Sequence, residues 1–195
     1  PPTTVTAPLR INAGGNQYTD TSGKVWQQDR AYAPSIGWGY LDANQDSGSV
    51  DRKASNTSLV VAGTNDQPLF TTERWSMDSY VFNLPNGTYD LRLSFAETWS
   101  GITGPGQRVF DVRVEGATVL ANLDLFASVG FNRALVKEVR NIQVTDGQLN
   151  IEFVGRIQNP IVNAIEVLAG GSLPAPTPNP TPTPTPTPQP TPTPT

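Results

Sequence analysis

The sequence contains no cysteine and no histidine. The first absence excludes thiolate nucleophiles, zinc knuckles, iron–sulfur ligation and a disulfide framework. The second excludes imidazole metal sites and any Ser-His-Asp or Cys-His nucleophile system. Long apolar runs are missing too: no stretch of 18 apolar residues occurs, so no membrane-inserting helix is expected. Nor is there a basic block. Thirteen Lys/Arg against 17 Asp/Glu leave a net charge of -4, which disfavours nucleic acid, whose binding wants a positive patch to displace counterions. No EF-hand-like spacing appears, so no metal ligands are assigned, although Asp- and Asn-rich loops are compatible with a structural calcium. The chain opens at Pro1 without a signal peptide, as expected of a mature or excised piece of a longer precursor.

What is abundant is proline, and it is unevenly spread. Eleven of the 19 prolines fall between Pro174 and Thr195, alternating mostly with threonine. Such a run fixes φ, lacks half its backbone donors and offers no large side chain to bury. It is expected to be a disordered or extended linker over 173–195, reaching roughly 70 Å in polyproline II. Residues 1–8 share its composition, so the folding unit is expected over 9–172, enough for one domain with a real core. Spacers of this kind suit an extracellular or cell-surface multi-modular protein, with threonines available for O-glycosylation.

Between the linkers the pattern is β. Tyr80–Leu84 and Thr88–Phe95 alternate apolar and polar around Asn86-Gly87, which predicts a hairpin. Leu135–Val144 and Leu149–Val154 flank Asp146-Gly147 and predict a second. Val109–Val114 turns at Glu115-Gly116 into Thr118–Leu123, and Ile161–Leu168 reads as a last strand. The one helical candidate is Asp124–Val129. This is an all-β pattern that argues for an antiparallel sandwich. Residues 13–57, rich in Gly, Asn, Asp and Ser with Tyr18, Trp26, Tyr32, Trp38 and Tyr40, read as a long irregular loop region packed over the sandwich.

Trp75 and Trp99 each stand where a strand gives way to a loop. An indole there offers a flat apolar face with a polar N–H, a match for a pyranose ring. The ordinary alternative is that both are core or rim aromatics. Two acids flanking a sugar bond could hydrolyse it without histidine or cysteine, and Asp29, Asp51, Asp66, Glu73, Asp78, Glu97, Asp111 and Asp124 are candidates. Most acids in a domain of this size are solvated or accept turn hydrogen bonds, so no catalytic residue is assigned. Asn56-Thr-Ser58 and Asn86-Gly-Thr88 fit glycosylation sequons, Asn86 being better explained by its turn.

Six segments in order resemble the malectin domain family. They are Leu9–Gly15 with Tyr18-Thr-Asp20, Gly23 and Trp26–Asp29; Thr72-Glu-Arg-Trp75; Phe95-Ala-Glu97; Val109–Val114 with Gly116; Leu123–Phe126 with Val129-Gly130; and Asn159-Pro160 with Ala164. The resemblance covers residues 9–168. It implies a galactose-binding-like jelly-roll β-sandwich that binds carbohydrate and is not an enzyme; the eukaryotic malectins bind the di-glucose ends of N-glycans. Carried over by position, the family's aromatic in the Thr-Glu-Arg motif falls on Trp75. Its aromatic pair after the Ala-Glu strand falls on Trp99 and Ser100, losing one platform. Its Asp before Asn-Pro falls on Gln158, which keeps hydrogen bonding and loses charge. Residues 33–57 depart from the family, and Tyr32 with Gly37-Trp-Gly-Tyr40 resembles the N-terminal sandwich of some pectin-degrading esterases and lyases.

The expectation is a non-catalytic carbohydrate-binding module of a secreted or cell-surface protein. Its partners would be a glycan or polysaccharide and linked neighbouring modules, with no cofactor. Trp75 and Trp99 would stack on sugar; Gln158, Asn159 and Glu97 or Arg74 would bond hydroxyls; Trp38 and Tyr40 would extend the site. The alternative is a structural or adhesive subunit of an extracellular assembly or filament, contacting other copies of itself through O-glycosylated Pro-Thr arms.

Overall fold

The structure is a computed structural model, described over residues 2–42 and 51–174. The tail expected as a linker lies outside the described residues from position 175 on, as do residues 43–50 of the 13–57 stretch. Two sheets pack face to face. The first is ordered β11 (Leu135–Val144), β8 (Gly87–Phe95), β14 (Ala164–Ala169), β1 (Leu9–Asn12), β3 (Val25–Gln28) and β2 (Tyr18–Thr19). The second is ordered β10 (Ala117–Leu123), β9 (Val109–Val114), β12 (Gln148–Ile157), β7 (Ser79–Asn83) and β4 (Trp38–Leu41). A small sheet of β13 (Ile161–Val162), β6 (Thr72–Trp75) and β5 (Lys53–Ser55) lies at one pole. The result is a jelly-roll-type β-sandwich, antiparallel except where β1 runs parallel to β3.

Period-two alternation builds its core. Leu91, Leu93 and Phe95 of β8 face Leu149, Ile151 and Phe153 of β12, joined by Tyr80, Phe82, Phe110 and Ile165, all buried. Each such side chain contributes about 1.5–3 kcal/mol by leaving water. Behind the first sheet, Leu69 and Phe70 of the one-turn helix α1 (Pro68–Thr71) bury with Trp26, Val61 and Ala96 in a second cluster. The expected helical turn is α2 (Leu125–Val129), capped by Asp124, which accepts from the Ala127 N–H at 2.9 Å.

Both turn-based hairpin expectations require correction. β7 and β8 lie in different sheets, and so do β11 and β12. Alternation states which face of a strand is buried but not which strand lies beside it. Here the two connections cross between sheets side by side: the Leu84 N–H donates to the Gly147 carbonyl at 3.0 Å, and Asn86 Nδ2 to Thr145 O at 2.9 Å. The Glu115-Gly116 turn does join paired strands, β9 and β10. The 13–57 stretch is less irregular than expected, contributing β2, β3, β4 and β5.

The sandwich therefore has two distinct poles. At the turn pole, Val5 N–H donates to Asn83 O, and Asp90 accepts from the Gly171 and Leu173 N–H groups, so both ends of the described chain leave there. At the other pole lie the ends of β6, β8 and β12. Nine residues of β8 separate the two, roughly 30 Å at the usual rise per residue.

Candidate functional site

Asn163 interrupts β13 and β14 and fixes the far pole. Fully buried, its Nδ2 donates to the Phe70 and Thr72 carbonyls at 3.1 and 2.8 Å, while its Oδ1 accepts from the Ala96 N–H at 2.7 Å. β6 is thereby held against the end of β8, and the residues that follow, Trp75 and Trp99, share one cavity. Its walls are Ala54, Ser55 and Asn56; Glu73 and Trp75; Thr98 and Trp99; Arg108; and Gln158 with Asn159. Its volume is about 460 Å³, within the range of small-ligand clefts.

Trp99 is 48% exposed, a high value for an indole. It is braced rather than free: the backbone N–H of Trp99 donates to Glu97 Oε1 at 3.2 Å, and the Arg108 guanidinium lies 5.8 Å from its ring centroid. A Cβ at Gly101 would stand 2.4 Å from the indole, so a side chain there would displace the ring. Trp75 is half-buried, with the Arg52 guanidinium 6.0 Å from its ring. Gln158 takes a left-handed backbone with φ of 59°, and its Oε1 accepts from the Asn159 N–H at 3.2 Å.

Of the residues named from sequence, Trp75, Trp99, Gln158 and Asn159 line the cavity together. Glu97 does not reach its surface. It is fully buried beneath, accepting from Arg108 Nε at 2.7 Å and Nη2 at 3.4 Å, while Arg108 Nη1 donates to the Asn159 carbonyl. Arg74 is likewise buried, ion-paired to Asp29 and Asp51 away from the cavity. Trp38 and Tyr40 require correction as site extensions: they are 5% and 8% exposed and belong to the main core. Their strand β4 pairs with β7, which turns both rings inward, Tyr40 edge-on to Tyr80 at 6.3 Å between centroids.

Arg108 and the role of Glu73 escaped the sequence reading of the binding site. Glu73 lines the cavity yet is 4% exposed, and its Oε2 accepts from Thr98 Oγ1 at 3.2 Å. Burial pushes its carboxyl up to about 7; the charge of Arg108 opposes this, that of Glu97 adds to it, and the Thr98 bond opposes it. With Glu97 sealed behind Arg108, Glu73 is the single acid lining the cavity among the described residues, and these form no facing pair of carboxylates for glycoside cleavage there. No group of three or more metal-ligating residues occurs among the described residues.

A family profile for the malectin domain matches residues 7–165. Malectin-A of Xenopus laevis is 30% identical over 179 residues, covering 82% of this chain and 59% of its own length. Human malectin is 29% identical, covering 82% of this chain and 56% of its own; the chain thus spans under three-fifths of these relatives. Among solved structures, a β-glucuronidase 2 of Bacteroides uniformis superposes with a TM-score of 0.71 at 24% identity, over 83% of this chain and 17% of that one. The extracellular domain of ANXUR1 from Arabidopsis thaliana gives 0.64 at 18% identity, over 85% and 50%. These two likenesses are of fold. The chain belongs to the malectin domain family, a family of carbohydrate-binding, non-catalytic domains.

Proposed function

We propose that the chain is a non-catalytic carbohydrate-binding module of a secreted or cell-surface multi-modular protein. The observation that carries this is the convergence of two indoles, from β6 and from the loop after β8, on one cavity otherwise lined by small and polar side chains. Trp75 and Trp99 stack on the apolar faces of sugar rings. The side-chain amides of Gln158, Asn159 and Asn56 are within the same walls to bond hydroxyls. An open site of this size gives a single module modest affinity, because ordering a flexible saccharide offsets much of what contact gains.

The position of the ends supports a tethering role. Both described ends leave at the pole opposite the cavity, so the chain continues from there clear of the sugar site. A Pro-Thr spacer, its threonines carrying O-linked sugars, then holds those modules near a polysaccharide and raises their effective concentration on it.

A glycan array followed by titration calorimetry tests the reading. Trp99→Ala and Trp75→Ala are each expected to weaken binding of the array's best ligand by about 1–3 kcal/mol. Parent-like affinity in both variants removes the cavity from consideration as the site.

A further inference from the structure

Charge in the cavity wall is unequally shared. Among the described residues Arg108 is the one cation lining it, and its three guanidinium nitrogens are already committed to Glu97 and to the Asn159 carbonyl. The cations on the strands next to Glu73 are also engaged, Lys53 with Asp51 and Arg74 with Asp29 and Asp51. Among the described residues Glu73 therefore has no ion-pair partner; the hydroxyl of Thr98 is its hydrogen-bonding neighbour. With Glu73 and Glu97 ionised, the wall together with the acid sealed behind it carries two negative charges and one positive.

We propose that Glu73 is the specificity-determining residue of this cavity, admitting neutral sugars and rejecting sugars that carry a carboxylate. The proposal rests on the reading of the cavity as a saccharide site. A neutral hydroxyl donates to the lone pairs of Glu73 that Thr98 leaves open, or accepts from the carboxyl once it is protonated. A uronate has neither option when Glu73 is ionised. It brings a third anion against a low-dielectric wall whose only cation cannot turn toward it without abandoning Glu97, and like charges there repel strongly.

The discrimination is graded by pH. Buried, bonded by Thr98 and within the field of Arg108 and Glu97, the Glu73 carboxyl is pushed up to about 7. Above that the wall has a net negative charge and excludes uronates; well below it the wall is neutral while a uronate is still an anion, and the exclusion fades.

The test uses neutral disaccharides of glucose and galactose, the same disaccharides oxidised at C6 to the uronate, and the methyl esters of those uronates. Affinities for the wild-type chain are measured at pH 5 and pH 8.5. For whichever disaccharide binds, the uronate is expected to bind at least tenfold more weakly than its neutral parent at pH 8.5, and within threefold of it at pH 5. The methyl ester should bind like the parent at both, which separates charge from bulk at C6. Glu73→Gln should close the gap at pH 8.5; the wild-type pH series stands without that variant. A gap that ignores pH, or an ester that binds as poorly as the uronate, overturns the proposal and leaves the saccharide site in place. Absence of binding by every probe at both pH values overturns both.

Discussion

Two buried arginines, Arg74 and Arg108, sit among carboxylates in this sandwich, and their surroundings differ in one respect. Around Arg74 every charge is matched. Its Nε bonds Asp29 and its Nη1 reaches Asp51 at 3.1 Å, while the guanidinium lies 3.5 Å from the centre of the Tyr40 ring. Asp29 in turn accepts from the Tyr80 hydroxyl at 3.0 Å and from the Gly14 and Arg30 N–H groups. Around Arg108 one acid remains over: Glu97 takes the cation, and Glu73 is left facing the cavity. A matched cluster holds strands together; an unmatched one leaves hydrogen-bonding capacity for something that enters from outside. The contrast separates scaffold from site more sharply than burial does, since all four of Arg74, Arg108, Glu73 and Glu97 are buried.

The largest effect should come from breaking the matched cluster. Arg74→Ala leaves Asp29 buried without its cation, and removing one partner of a buried pair costs about 3–5 kcal/mol. Urea denaturation at pH 7 measures it. A loss below about 1 kcal/mol would mean that the tyrosine and backbone donors to Asp29 suffice, and the cluster would not be the clamp described.

Next in size is the unmatched acid. The Glu73 carboxyl titrates at about 7 in the fold, against 4.5 for an ordinary glutamate. The folded state thus holds a proton that the unfolded chain releases between those values. The stabilisation from that proton is complete below about pH 4.5 and is lost as pH rises through 7, amounting to about 3 kcal/mol. Glu73→Gln, neutral throughout, should match the wild type near pH 4.5 and exceed it by that amount above pH 7.5. Parallel stability curves for the two proteins across this window would show that Glu73 is solvated and not part of the wall.

How far sequence alone reaches follows from the same comparison. Alternation marked the strands, and the ends of the runs at Trp75 and Trp99 marked the cavity, because Trp75 closes β6 and Trp99 stands in the loop just past β8. Sheet membership was not legible: Asn86-Gly87 looks like a hairpin turn whether its strands pair or cross between sheets, and here they cross. Trp38 and Tyr40 resembled exposed loop aromatics because a glycine-rich segment hides a strand; the pairing of β4 with β7 buries them. Glu73 stood out only as one of many acids, since its burial depends on β5, on the loop after β8 and on Arg108, none near it in sequence.

The smallest effect sharpens the contrast most. Thr98 is 7% exposed, and its hydroxyl, 3.2 Å from Glu73 Oε2, is the neighbour that favours the ionised acid by hydrogen bonding. Thr98→Val keeps the shape and deletes the donor. Its stability cost should be about 1 kcal/mol near pH 5, where the bond joins two neutral groups, and greater at pH 8.5, where the acceptor is charged. The Glu73 titration, followed by its carboxyl carbon resonance, should move upward because the charged form has lost a donor. The cluster around Arg74 shares no hydrogen bond with Thr98, so the cost of Arg74→Ala should add to that of Thr98→Val rather than couple with it. Strong coupling between the two would mean that the charges of scaffold and cavity form one network, and the distinction drawn between them would fail.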